Sequence, residues 1–361
     1  MPTTRSRIEQ VRKLVPSEGP AVLPVAAALV ILGWLPTVLL AGVQASVTGR
    51  WPAVALAFET HVRYLVAGPV LLFGIRLVNE RITRCAEELV SGGFVRTEDL
   101  ERYRPLASRL LRLGDSTTGA AACFAVALAS AAAAPMGPVT DWASRWEGTV
   151  GLTLFRFVIL RGLWRWCVWA LFLGRVSRFD LALVATHPDL GGGLGFLTQP
   201  SEAFASFVLG VGAVIASKWS TEVLQNGVPF LTFKKELSIF AVLVTLLGIL
   251  PLLAFTGQLI VLRTRALRAY GAFARDCCAR FERKWVRPPT GEERLDPLLA
   301  PDLQSLSSLA NSFDVVARSR PFLATPRLVA TLAPAALLPM VPLFMTLMPI
   351  EVILPRLIKV L

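Results

Sequence analysis

The chain has 361 residues, of which 54% are hydrophobic and 17% are charged, and its mean hydropathy is +0.58. About a quarter of the residues in a soluble globular domain are charged, so this composition excludes that class. The net charge of +12 does not indicate nucleic acid as a partner, because most basic residues lie beside apolar segments. That distribution is typical of membrane topology and of contact with anionic lipid headgroups.

Apolar windows of about 17–25 residues predict seven membrane spans. The predicted spans are 21–45, 62–78, 117–135, 150–174, 203–219, 237–262 and 328–350. We therefore expect an all-α, polytopic membrane protein with helical cytoplasmic extensions. The second and fifth windows are short, and a tilted or an incomplete crossing would fit either.

The Lys and Arg residues predict the orientation. With the N-terminus in the cytoplasm, 25 of the 37 basic residues fall in inside segments, 8 in outside segments and 4 within spans. This bias follows the positive-inside rule. We expect a multi-pass protein of the bacterial inner membrane with a cytoplasmic N-terminus.

The spans divide the chain into five predicted parts. Two parts are helical cytoplasmic regions, 79–116 and 263–327, and the second contains an amphipathic helix at 302–318. If the helix of the sixth span continued unbroken from Leu237 to Trp285, it would be about 70 Å long. The remaining parts are 1–78 with spans one and two, 117–262 with spans three to six and a glycine-rich loop at 186–197, and 328–361 with the last span and the tail.

The outer end of the second span carries charge in the sequence FETHVRY. Glu59 and Arg63 are four residues apart, so they pair on one face of a helix, and His61 lies between them. Two interpretations stay open: a structural ion pair beside a satisfied histidine, or a gate or proton-linked site.

The fourth span carries Arg156, Arg161 and Arg165, and no predicted span contains an Asp or Glu to neutralise them. An arginine near the centre of a span costs about 2.5–3.5 kcal/mol, so the three must face protein, water, headgroups or an anion. A helix turns 100° per residue, which places Arg161 and Arg165 about 40° apart and Arg156 in a different environment. We predict ligand or ion-pathway residues; the alternative is hydrogen bonding to neighbouring helices or snorkelling to headgroups.

A glycine-rich loop follows this span in the sequence SRFDLALVATHPDLGGGLGF. Four glycines allow successive backbone N–H groups to converge on an anion such as phosphate, and His187 and Asp189 precede them. These glycines are Gly191, Gly192, Gly193 and Gly195. The alternative is a tight structural turn. The loop is not a Walker motif, because no Gly-Lys-Ser or Gly-Lys-Thr follows it.

Two further patterns concern partners. The fifth span is rich in small residues, with Ser206 and Gly210 at the spacing that lets helices approach closely, within the chain or in a homo-oligomer. The two histidines and the scattered cysteines form no pattern of metal ligands, so we expect neither a metal nor a cofactor.

Several segments resemble a family of uncharacterised bacterial inner-membrane proteins. The segments are ETHVRYLVAGPVLL (59–72), RFDLALVATHPDLGGGLGFL (178–197), ILPLLAFTGQL (249–259), RAYGAFARDCCARFERKW (268–285) and DLQSLSSLANSFDVVARSRP (302–321). The THPDxxGGLGFL element is the most specific of them. The resemblance implies a bacterial membrane location and carries no catalytic residue with it.

Three functions are compatible with these features. The leading hypothesis is a channel or transporter that favours anions through an arginine-lined interior. The first alternative is a non-catalytic assembly or regulatory protein whose cytoplasmic helices bind lipid. The second alternative is an enzyme acting on a phosphorylated or lipid-linked substrate, which needs His187, Asp189, Asp180 and Arg178 to converge.

Overall fold

The fold of this chain is helical throughout its described part. The computed structural model describes residues 22–133, 141–286 and 301–345, with the backbone alone for 301–303. In these ranges the chain is 86% helical and forms no strand, apart from an isolated bridge between Val95 and Leu181. The predicted all-α class is confirmed.

The longer helices of the described ranges are numbered in chain order. They are α1 (Val22–Thr48), α2 (Phe58–Ser91), α3 (Leu100–Asp115), α4 (Thr117–Ala132), α5 (Trp142–Val176), α6 (Gln199–Leu224), α7 (Lys234–Ile249), α8 (Thr256–Phe281), α9 (Pro301–Arg318) and α10 (Pro326–Met345, with a 3-10 turn at Leu338–Met340). The predicted amphipathic helix at 302–318 is α9.

Six helical segments of the described residues are long and apolar enough to cross a membrane. They are α1, α2, α5, Leu194–Leu224, Phe230–Val286 and α10. The third predicted span, 117–135, is not confirmed, because α4 has 16 residues and measures about 24 Å, less than the hydrocarbon core of about 30 Å. Residues 134 and 135 of that predicted span lie outside the described part.

The two short predicted spans belong to longer helices. The window at 62–78 lies inside α2, and the window at 203–219 lies inside Leu194–Leu224. A hydropathy window ends where the apolar composition falls, whereas the helix hydrogen bonds continue into the more polar residues on either side.

The predicted long helix after the sixth span changes geometry part-way. Helix α7 ends at Ile249, and a 3-10 segment, Leu250–Phe255, connects it to α8. Pro251 lacks the N–H that would continue the α-helical ladder. Gln258 donates to the carbonyl of Ser177 at 2.8 Å, so α8 begins level with the end of α5.

The centre of the bundle is the pair formed by α2 and α6. The backbones approach closely where Gly74 of α2 faces Phe207, and where Gly210 of α6 faces Leu71. Two residues further along α6, on the opposite side of the helix, Gly212 faces the carbonyl of Ala336 in α10. The small residues of α6 therefore serve packing within the chain, as in other membrane helix pairs.

Three π-helical turns meet in α1, α2 and α5. They are Val30–Trp34, Arg63–Ala67 and Glu147–Gly151. The fully buried ring of Tyr64 lies between Gly33 and Gly151, where a Cβ atom on either glycine would collide with it. π-turns are rare and often mark functional sites.

We predict that Gly74→Ala destabilises the protein. The new Cβ would lie 2.7 Å from the backbone nitrogen of Phe207, so the two helix backbones must separate. Overpacking of this kind costs about 1–3 kcal/mol, which thermal unfolding in detergent measures. Gly174→Ala is the matched control, because no atom lies within 4 Å of its new Cβ and alanine favours a helix. Equal melting temperatures for the two variants would contradict the close approach.

Candidate functional site

The three arginines of α5 lie along its contact with α4. The buried stripe of α4 consists of small residues, namely Gly119, Cys123, Ala127 and Ala131. Arg156 donates to the hydroxyl of Ser130 on α4 at 3.2 Å, and Arg165 pairs with Asp115, just before α4. Arg156 and Arg165 thus have different polar partners, although the long side chain of Arg156 also reaches α4.

Charge neutralisation also differs from the prediction. Arg165 is only 15% exposed and its guanidinium pairs with the carboxylate of Asp115, which ends α3. The predicted span 150–174 contains no Asp or Glu, but the helix begins earlier, at Trp142, and therefore includes Glu147. Two of the three arginines thus have local polar partners.

Arg161 is the exception among the three. Its Nη1 atom is buried and has no hydrogen-bond partner among the described residues. The guanidinium lies close enough to the Cys123 thiol of α4 to interact with it electrostatically. A thiol is a weak partner for a cation, so this position retains unsatisfied positive charge.

An ion cluster of Glu59, Arg63, Glu147 and Tyr64 connects α2 to α5. The guanidinium of Arg63 donates to the carboxylates of both Glu59 and Glu147. The Tyr64 hydroxyl lies 3.4 Å from Glu147, and Arg63 and Glu147 are 8% and 7% exposed. The predicted pair of Glu59 and Arg63 is confirmed, and Glu147 is an additional partner.

His61 is fully hydrogen-bonded beside this cluster. The indole N–H of Trp34 donates to its Nδ1 at 2.9 Å, and its Nε2 lies 2.9 Å from the carbonyl of Ala55. A ring that accepts at Nδ1 and donates at Nε2 is the neutral tautomer, assigned from its partners. This arrangement favours a structural role for His61.

Sequence reasoning missed Glu147 because the apolar window begins after it. One local signal was present in the sequence, because Asp141 is a residue type that caps helices. In the structure its side chain accepts a hydrogen bond from the backbone N–H of Ser144 at 3.0 Å. That cap predicts a helix start near residue 142, which brings Glu147 into α5.

We predict a large loss of stability for Arg63→Gln. Removing the guanidinium leaves the buried carboxylate of Glu147 facing the partly buried carboxylate of Glu59, and breaking a buried ion pair costs about 3–5 kcal/mol. Arg76→Gln is the control, because Arg76 and Glu80 form an exposed pair on the same helix, of a type that contributes about 0.3–0.5 kcal/mol. Thermal unfolding of both variants in one detergent measures the contrast. Similar melting temperatures would show that the cluster contributes no more than an exposed pair.

The glycine-rich loop encloses a carboxylate of its own. The backbone N–H groups of Gly191, Gly193 and Gly195 donate to Asp189 at 2.9, 3.0 and 2.8 Å. His187 Nδ1 lies 2.8 Å from the same carboxylate. The predicted convergence of donors is present, and Asp189 occupies it.

These hydrogen bonds control the charge of Asp189. Burial alone would raise the pKa of Asp189, but hydrogen bonds from the amides of Gly191, Gly195 and Gly193 and from His187 outweigh it, so the pKa lies below its usual range. The loop is also packed from outside, with Gly192 against Leu262. Saturated donors and close packing favour a structural role for the loop.

Two residues of the enzyme hypothesis pair with each other, and a third pairs elsewhere. His187 and Asp189 lie 2.8 Å apart, whereas Asp180 is 77% exposed and pairs with Arg96 at 3.1 Å. Within the described residues, no three His, Cys, Asp or Glu side chains are arranged to hold a metal ion.

No family model, curated protein or solved structure matches the chain. The resemblance to the inner-membrane family therefore stays a prediction that rests on the quoted segments.

We predict that Asp189→Asn destabilises the loop at neutral pH by about 1–3 kcal/mol, because the charged acceptor of three amides is lost. The folded-state pKa is the lower one, so the stabilisation is present above about pH 4 and is lost as the pH falls through the folded value. Melting temperatures of the two proteins should therefore converge in acid. Asp180→Asn removes an exposed carboxylate nearby and should change little. A difference that stays constant with pH would contradict the charged state.

Proposed function

We propose that this chain is a multi-pass membrane channel or transporter that favours anions, in the bacterial inner membrane with its N-terminus in the cytoplasm. Arg161 is the side chain that meets the anion. Six apolar helices support the membrane part of this proposal.

The buried and unpaired Nη1 atom of Arg161 carries the proposal. A guanidinium of this kind among apolar helices is costly, and a mobile anion would stabilise it. Arg156 on the same helix adds positive potential, because its partner is the neutral hydroxyl of Ser130, whereas the carboxylate of Asp115 neutralises Arg165. The small side chains of α4 leave the guanidinium without a bulky cover.

A second candidate function is a non-catalytic assembly or regulatory protein that binds an anionic surface. Arg265, Arg268 and Arg275 are exposed on α8. Helix geometry places them about 120–160° from Arg263, which donates to the carbonyl of Ala317 on α9. The basic face therefore turns away from α9, where anionic lipid or an acidic protein would meet it.

We predict that Arg161→Gln reduces anion flux in proteoliposomes about tenfold or more, because an unpaired cationic donor is removed from the pathway. The measurement is chloride or iodide efflux driven by a concentration gradient. Arg76→Gln is the control, since Arg76 is an exposed residue in a pair with Glu80. Arg161→Lys keeps the charge and should retain more flux than Arg161→Gln.

Two outcomes would overturn the proposal. One is wild-type protein that passes no more anion than empty vesicles. The other is a folded Arg161→Gln protein with unchanged flux and unchanged selectivity over cations. Either result, together with binding of anionic vesicles that is lost in a variant of the α8 arginines, would favour the second candidate.

A further inference from the structure

A cleft of about 670 Å³ opens where α2, α6 and α10 meet. Its walls come from the later part of α2, the 3-10 turn Leu194–Thr198, the first turn of α6 and the start of α10. These segments are far apart in the sequence, apart from the turn that joins the glycine-rich loop to α6. The cleft is separate from the arginines of α5 and from the ion cluster of Arg63.

The polar lining of the cleft is dominated by two guanidinium groups. Arg81 Nη1 donates to Gln199 Oε1 at 3.2 Å, which leaves its other N–H groups for a ligand. Arg327 Nε lies 3.9 Å from Glu202 Oε1, at the limit of an ion pair, and its side chain is 83% exposed. Two cations with a single carboxylate among the lining residues leave an excess of positive charge.

The start of α6 supplies no free backbone donor to the cleft. The helix follows the 3-10 turn Leu194–Thr198 directly, the backbone N–H of Gln199 donates to the carbonyl of Phe196, and Pro200 has no N–H. The guanidinium groups of Arg81 and Arg327 therefore supply the donors, and they approach the same space from two helices, which is a geometry suited to the oxygens of a phosphate group.

The other wall of the cleft is apolar. Leu77, Phe196 and Ala203 line it beside the polar groups. Arg81 lies in the charged part of α2 that follows the predicted apolar window and begins at Glu80, and Gln199 and Arg327 lie where α6 and α10 begin. The cleft thus lies at the ends of three apolar helices, a position that suits the polar headgroup of a lipid.

We propose that this cleft binds a phosphate ester, with Arg81 and Arg327 as the two residues that contact the phosphate oxygens. The ester is the headgroup of an anionic phospholipid or a soluble phosphorylated compound. Phe196, in the apolar wall of the cleft, belongs to the glycine-rich element. Its ring centroid lies 5.4 Å from that of Phe94, and its carbonyl accepts a hydrogen bond from the Cys85 thiol. This site is independent of the anion pathway proposed at Arg161.

The test uses the full chain in detergent and follows thermal unfolding by tryptophan fluorescence. The probes are short-chain phosphatidylglycerol, diacylglycerol with the same chains, and sodium phosphate at constant ionic strength. A ligand that binds the folded state raises the unfolding midpoint with its concentration, which gives an apparent Kd. We expect phosphatidylglycerol or phosphate to stabilise the protein and diacylglycerol to have no effect.

The variants identify the site. Arg81→Gln and Arg327→Gln should each weaken the apparent Kd about tenfold, whereas Arg84→Gln, an exposed arginine on α2 outside the lining, should change it less than twofold. Arg327 is largely exposed, so its variant tests binding in a protein that folds normally. Arg161→Gln should leave this binding unchanged, which separates it from the proposed function.

The outcomes assign the ligand or overturn the site. Stabilisation by phosphatidylglycerol without an effect of sodium phosphate assigns a lipid headgroup, and stabilisation by sodium phosphate assigns a soluble phosphate compound. The proposal is overturned if no phosphate probe stabilises the protein, if diacylglycerol does so equally, or if the double variant of Arg81 and Arg327 binds like the wild type.

Discussion

A positive charge within an apolar helical bundle needs a polar or anionic partner, and in this structure such partners connect neighbouring helices. Arg63 receives two carboxylates, one from its own helix and one from α5. Arg165 receives the carboxylate of Asp115 at the end of α3. The pairs of Arg63 with Glu147 and of Arg165 with Asp115 each join two helices. Separating Arg63 from Glu147 would leave a buried charge unpaired at a cost of about 3–5 kcal/mol.

Close helix packing permits these pairs to form. The contact of Gly74 with the backbone of Phe207 brings α2 and α6 together, and the π-turns of α1, α2 and α5 make room for the Tyr64 ring. The hydroxyl of that ring then lies 3.4 Å from the carboxylate of Glu147. Backbone geometry and charge pairing are therefore coupled in this region, since a shift of either helix would move the carboxylate away from its guanidinium.

Hydropathy predicted the helical class and most of the spanning segments, because apolar composition reports directly on the environment of a membrane helix. It did not predict the partners of the arginines. Glu147 and Asp115 lie beyond the apolar windows, at helix ends that follow from caps and hydrogen bonds instead. The sequence also did not predict the cleft, because the packing of three helices brings Arg81, Gln199 and Arg327 together.

The balance of donors and acceptors separates the structural sites from those open to a ligand. Asp189 already accepts hydrogen bonds from three backbone amides, and Arg63 already forms ion pairs with two carboxylates. An external anion would have to displace a carboxylate of the protein at either position. Arg161 has a donor with no partner among the described residues, and Arg327 has its carboxylate only at 3.9 Å. An anion at these two positions would form new hydrogen bonds and break few, whereas at Asp189 or Arg63 it would first have to displace a carboxylate.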